Sequence, residues 1–128
     1  MEDEKKELPV IDIAPSDLQV IGSILFPYAR MIQYVIEPSS KRDTILRTVE
    51  MLRQRIADVK NVERVGKDPF PLSRNELVVI DNALSAFVEN ISRFVPQSQE
   101  RDKTMRACKA LRSYLISSFA QTGIPTNN

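Results

Sequence analysis

Apolar residues recur at spacings of three and four along most of this chain. Leu77, Ile80, Leu84, Phe87, Ile91 and Phe94 form one such run, and Leu18, Ile21, Leu25, Tyr28, Ile32 and Val35 an almost parallel one. A strand would alternate every second residue, so this period means helices that each bury one face. Ile45, Val49, Leu52, Ile56 and Val59 make a narrower seam of the coiled-coil kind, and Cys108, Leu111, Leu115 and Phe119 a fourth stripe. A chain of 128 residues holds these four helices in one domain and has no room for two.

Local signals set the expected boundaries. The first helix starts near Pro15 to Asp17, with Ser16 as a capping candidate and Asp17 at the positive end of the dipole. It runs to about Ile36, and Pro27 inside it removes one ladder bond and predicts a kink. The second spans 40–65, with Gly66 as its left-handed terminator. The link after it carries Phe70 and Leu72, expected to tuck back onto the helices. Ser73 and Glu76 form a Ser-x-x-Glu capping box ahead of a helix reaching Phe94 or Val95. The cluster Leu77-Val78-Val79-Ile80 suits a strand by propensity, but the stripe continues through Phe94 and period outweighs local preference. The last helix covers about 98–121 and ends before Gly123 and Pro125.

Short links between long helices favour antiparallel neighbours. The expected fold is all-α, an up-down-up-down four-helix bundle over 15–122. A partly disordered N-terminal arm (1–14) precedes it and a tail (123–128) follows. Pro9 and Pro15 keep the arm out of a regular helix, so its Leu8 to Ile13 stretch should lie extended against the bundle or a partner.

Composition removes whole classes of chemistry. The chain has no histidine, which takes away the commonest acid-base residue and the usual ligand for zinc, iron or copper. Di-iron bundles need a Glu-x-x-His pair, so that reading fails too. Cys108 stands alone, so no internal disulfide or cysteine zinc site can form. On an inward face it reads as a small buried apolar group. Gly22, Gly66 and Gly123 are isolated, so there is no glycine-rich phosphate loop. Of the carboxylate pairs that hold magnesium on facing helices of helical pyrophosphatases, only Glu4 and Glu7 have the spacing, and they lie in the arm, while Glu50, Asp58, Glu63, Asp81 and Glu89 are scattered. No catalytic residue, cofactor or metal site is expected. The polar start carries no secretory signal, and Arg30 and Gln33 interrupt the longest apolar stretch, so the expectation is a cytoplasmic protein without a membrane span.

Two binding surfaces remain. The first helix has apolar residues beyond its main stripe, Phe26 and Tyr34 among them. Val20, Ile24, Met31 and Tyr34, with Val10, Ile11 and Ile13 of the arm, form a candidate interface for a second copy or another protein. The alternative is a phosphate or nucleic-acid ligand on a basic stripe of Arg101, Lys103, Arg106, Lys109 and Arg112. That stripe would be joined by Lys41, Arg42, Arg47, Arg53, Arg55, Lys60 and Arg64 if the second and fourth helices are neighbours. A net charge of +1 supplies no global field for such a ligand, so only a local patch could bind it.

Overall fold

A computed structural model describes residues 10–60 and 68–121. It contains four helices, α1 (Pro15–Val35), α2 (Ser40–Lys60), α3 (Arg74–Phe94) and α4 (Gln99–Ala120). Two short strands, β1 (Val10–Ile13) and β2 (Asp68–Pro71), pair antiparallel with Ile11 opposite Phe70. The expected end of the second helix at 65, its Gly66 terminator and the C-terminal tail lie outside the described residues.

Each helix start has a local cause. Ser73 caps α3: its hydroxyl accepts from the Glu76 amide at 3.1 Å, and the Glu76 carboxylate accepts from the Ser73 amide at 2.9 Å. Both halves of the anticipated box are therefore formed. Ser98 caps α4 by accepting from the Arg101 amide at 3.0 Å, and Ser39 caps α2 through the Arg42 amide at 3.1 Å. α1 departs from expectation. Its N-cap is Ala14, which has no side-chain acceptor, and Ser16 lies inside the first turn. Pro15 suffices there, because its ring presets φ and its missing N–H would be an orphan in any case. Pro27 removes a donor for the Ser23 carbonyl, yet α1 continues past it to Val35.

Named contacts fix the packing order. Gly22 of α1 sits against Ile56 of α2, where an added Cβ would come to 3.3 Å from the isoleucine Cγ2. Farther along, Arg53 lies over the Phe26 ring and Arg42 donates to the Ile36 carbonyl. The residue numbers run in opposite senses, so α1 and α2 are antiparallel. Asp81 bonds Arg112 at the ribbon end while Phe87 faces Cys108 and Thr104, which makes α3 and α4 antiparallel as well. α1 and α3 are packed side by side and point the same way, with Ile24, Pro27 and Met31 facing Ala83, Phe87 and Asn90. α2 packs on both of these helices, whereas α4 packs on α3 and β1. α2 and α4 thus flank the α1–α3 pair from opposite sides.

The core forms one cluster. Leu18, Ile21 and Leu25 of α1 meet Val49, Leu52 and Ile56 of α2, Ile80 and Leu84 of α3, and Leu115 and Phe119 of α4. The ribbon belongs to this core. Ile11 and Ile13 are buried on one side of β1 while Val10 and Asp12 face out, and Phe70 and Leu72 close the same pole. The alternation has the two-residue period of a strand whose one face is covered. Tyr114 of α4 donates its hydroxyl to the Asp12 carbonyl, tying the ribbon to the last helix. Arg55 ties the other side. Its Nη2 donates to the Pro71 carbonyl at 2.6 Å and to Glu76 Oε1 at 3.1 Å, with its guanidinium over Phe70.

Candidate functional site

The α1 face that looks away from α2 reads Asp17, Val20, Ile24, Pro27, Met31, Tyr34, a three-four spacing that keeps all six on one side. Because α4 leans on α3 and the ribbon, the space between α1 and α4 is left open as a groove of about 420 Å³. Val20, Ile24, Phe87, Cys108 and Leu111 supply its apolar lining, and Asp17, Glu100 and Lys103 its charged edge. A small hollow between α1 and α3 continues the line through Pro27, Met31, Phe87 and Asn90.

One turn beyond that hollow, both core stripes run out of cover. Along α3, Leu77, Ile80 and Leu84 are buried, Phe87 and Ile91 partly so, and Phe94 is 76% exposed. Along α1, Ile32 is 4% exposed but Val35 is 69%. Tyr34, at 82%, stands beside it, and Val95 follows Phe94. Since α1 and α3 run in parallel, these four residues share one pole, opposite the ribbon. The ribbon seals one end of the core, and among the described residues no element seals the other.

The expected interface is therefore only partly present. Val20 is at the edge of the groove, Met31 is half-buried in the hollow, Tyr34 is fully outside, and Val10 is exposed on the ribbon's outer face. Ile11, Ile13 and Ile24 are corrections. All three are at most 3% exposed, inside this chain's own core, and offer nothing to a partner. The β1–β2 pairing is what the sequence reading lacked, because it turns alternate arm residues inward. Phe26 is half exposed, with the Arg30 and Arg53 guanidinium carbons 5.9 and 5.2 Å from its ring centroid. Val35, Phe94 and Val95 were missed as surface residues. The stripe positions of Val35 and Phe94 announced core, and periodicity does not say where the covering helices stop.

The basic stripe does not assemble. α2 and α4 share no substantial contact, being held apart by the α1–α3 pair. Lys103, Arg106 and Lys109 are exposed and Arg101 is half-buried. Arg112 is bound to Asp81, Nε to Oδ1 at 2.7 Å, and that hydrogen bond raises its guanidinium pKa further above the ordinary arginine range. On α2, Arg42, Arg53 and Arg55 are occupied by a carbonyl, an aromatic ring and the ribbon clip respectively. Arg64 lies outside the described residues. Acidic groups are similarly dispersed: Glu76, Asp81 and Glu89 each pair with an arginine, and no group of three acidic or thiol side chains converges among the described residues. No helix among them is long and apolar enough to cross a membrane.

Cys108 is buried at 3% exposure, as its inward position implied, and burial pushes its thiol pKa up. Less thiolate is then present at neutral pH than for a free cysteine. A disulfide-exchange reagent should label native protein roughly a hundredfold or more slowly than urea-unfolded protein, because reaction waits on local opening. Equal rates would show that the groove admits the reagent to the sulfur.

No protein-family model, curated protein sequence or solved structure matches this chain.

Proposed function

We propose that this chain is a non-enzymatic helical protein that works by association, and that its partner is a second copy of itself. The observation that carries the reading is the pole that no described element covers, where Tyr34 and Phe94, the two most exposed large apolar side chains among the described residues, stand at the same ends of parallel helices. The patch continues along α1 through Met31 to Val20, so it is a strip rather than a point.

A second copy fits better than a charged ligand for electrostatic reasons. The net charge of +1 sets almost no repulsion between two protomers. The patch is bordered by both signs, with Glu37 just beyond α1 and Arg93 beside Phe94. A twofold arrangement can therefore set unlike charges against each other. Size predicts the strength. A strip from Asp17 to Tyr34 is about 27 Å long and two helices wide, roughly 500 Å² per copy. That lies at the lower limit for specific interfaces, which implies a reversible dimer in the micromolar range. The lone buried thiol and the absence of any disulfide suit a reducing compartment, which makes the cytoplasm the proposed location.

Sedimentation equilibrium tests the reading. The wild-type mass should climb from 14.6 kDa toward twice that value with rising concentration. The double variant Tyr34→Glu, Phe94→Glu should stay monomeric with an unchanged circular dichroism spectrum, because both side chains are outside the core. Wild-type protein that remains at the monomer mass at several hundred micromolar would end the proposal.

A further inference from the structure

A separate cleft of about 480 Å³ lies between α2 and α3, on a different face from the pairing strip. That volume is within the range of small-molecule sites. Lys41 is the single charged group on its walls, and no carboxylate lines it. Lys41 is exposed and makes no ion pair among the described residues, although acidic residues are nearly as common as basic ones in the chain. Lys41 is therefore the one charge that the cleft walls themselves present to a ligand.

Its neutral groups are sorted by hydrogen-bonding character. The antiparallel helices bring Asn82 to the Lys41 end and Asn75 to the Thr48 end, and both asparagines face the cleft. Their amides can donate as well as accept. Thr44 and Thr48 have already spent their hydroxyl protons on the Ser40 and Thr44 carbonyls, each at 2.9 Å, and offer the cleft only lone pairs. Ile45 and Val79 form an apolar floor beside the Tyr28 ring. Burial moves the Tyr28 phenol pKa upward, with the nearby Asn82 amide opposing it, so the phenol is neutral and keeps its proton.

We propose that this cleft binds a small hydroxylated organic anion, its carboxylate or phosphate monoester against Lys41 and Asn82. Its carbon skeleton lies over Ile45 and Val79, and its hydroxyls donate to the threonine oxygens. Each part of the ligand answers a feature of the walls: the anion meets the lone cation, the hydroxyl donors meet oxygens that have no proton left to give, and the skeleton covers the floor. The proposal does not depend on dimer formation.

Amide chemical-shift titration of the full chain tests it with three probes: gluconate, glucose 6-phosphate and neutral glucose. At about 10 mM, above the millimolar affinity that a few such contacts supply, an anion should shift amides of 41–48 and 75–82. Gluconate alone or glucose 6-phosphate alone identifies the preferred head group, and either supports the site. Lys41→Met should weaken binding by about tenfold, the loss of one charge-assisted hydrogen bond, with an unchanged melting curve. Absence of shifts with both anions, equal shifts with glucose, shifts scattered over the surface, or unaltered affinity in Lys41→Met would each overturn it.

Discussion

Replacing Ile13 with alanine should lower the free energy of unfolding by about 3 kcal/mol, as much as truncating a residue in the middle of a helix. Ile13 lies ahead of the first helix, in a four-residue strand of a two-stranded ribbon, where a truncation would ordinarily cost little. Here its side chain is 0% exposed, packed in the same cluster as Leu18 and Phe70. Deleting the branched chain loses its transfer free energy and leaves a cavity that the ribbon cannot refill, because Tyr114 and the β2 pairing hold it in place. Val10→Ala on the outer face of the same strand is the control and should cost under about 0.5 kcal/mol. Urea unfolding at one fixed protein concentration makes the comparison, since association would otherwise shift both midpoints. Equal losses at the two positions would mean that the strand is not part of the core.

Arg55→Ala is expected to cost about 2 kcal/mol, large for a residue on a mostly wet helix. One guanidinium nitrogen serves both the Pro71 carbonyl and Glu76, and the plane lies 4.9 Å from the Phe70 ring centroid. Two contributions set the size. The lost charge-assisted bonds and the ring contact amount to about 3 kcal/mol in favourable geometry. Against this, the side chain is 31% exposed and its Nε is buried without an acceptor, both of which reduce the net value. Glu76 keeps its bond from the Ser73 amide in the variant, so the α3 cap survives and the damage falls on the ribbon. Arg55→Lys should recover less than half of the loss, because an ammonium has neither the planar fork nor the flat face. Urea midpoints measure the stability, and hydrogen exchange at the Ile11 and Phe70 amides reports on the ribbon. A change under about 0.5 kcal/mol in Arg55→Ala would show that the clip adds nothing to stability.

How much of this was legible beforehand differs from element to element. The α3 start was readable to the residue, because a capping box is a local hydrogen-bond pattern that the four residues Ser73 to Glu76 specify alone. The inward residues of α4, Cys108, Leu111, Leu115 and Phe119, were readable because a helix repeats its faces at a known angle. The β1–β2 pairing was not. Pro69 and Pro71 lack amide protons and argue against a strand, and only β2's position at the edge of a two-stranded ribbon makes them tolerable there. With that pairing unseen, the strip could lie against the bundle or a partner, and Ile11 and Ile13 stood as interface candidates although they belong to the core.

The candidate site shows the same division. Tyr34 and Val20 were readable as surplus apolar groups on α1, and both are exposed. Phe94 and Val35 carry the same spacing as their buried neighbours, and the spacing contains no information about where a covering helix ends. The basic stripe failed for a related reason. Whether α2 and α4 adjoin depends on which helix pair packs most closely across the middle, and α1 with α3 took that place. Its residues were correctly seen as polar, but their partners, such as Asp81 for Arg112, come from 31 positions away.

The amino-acid order alone determined the four helices, their inward faces, the capping box that starts α3 and the chemistry denied to a chain without histidine. These depend on contacts within a few residues, where period and side-chain type act directly. Only the tertiary structure decided that β1 completes the core, that α4 stands off from α1, and that one pole is left apolar and uncovered by the described residues. Those outcomes come from competition among distant segments for the same buried volume, and the winner depends on how the helices pack, which no local pattern encodes.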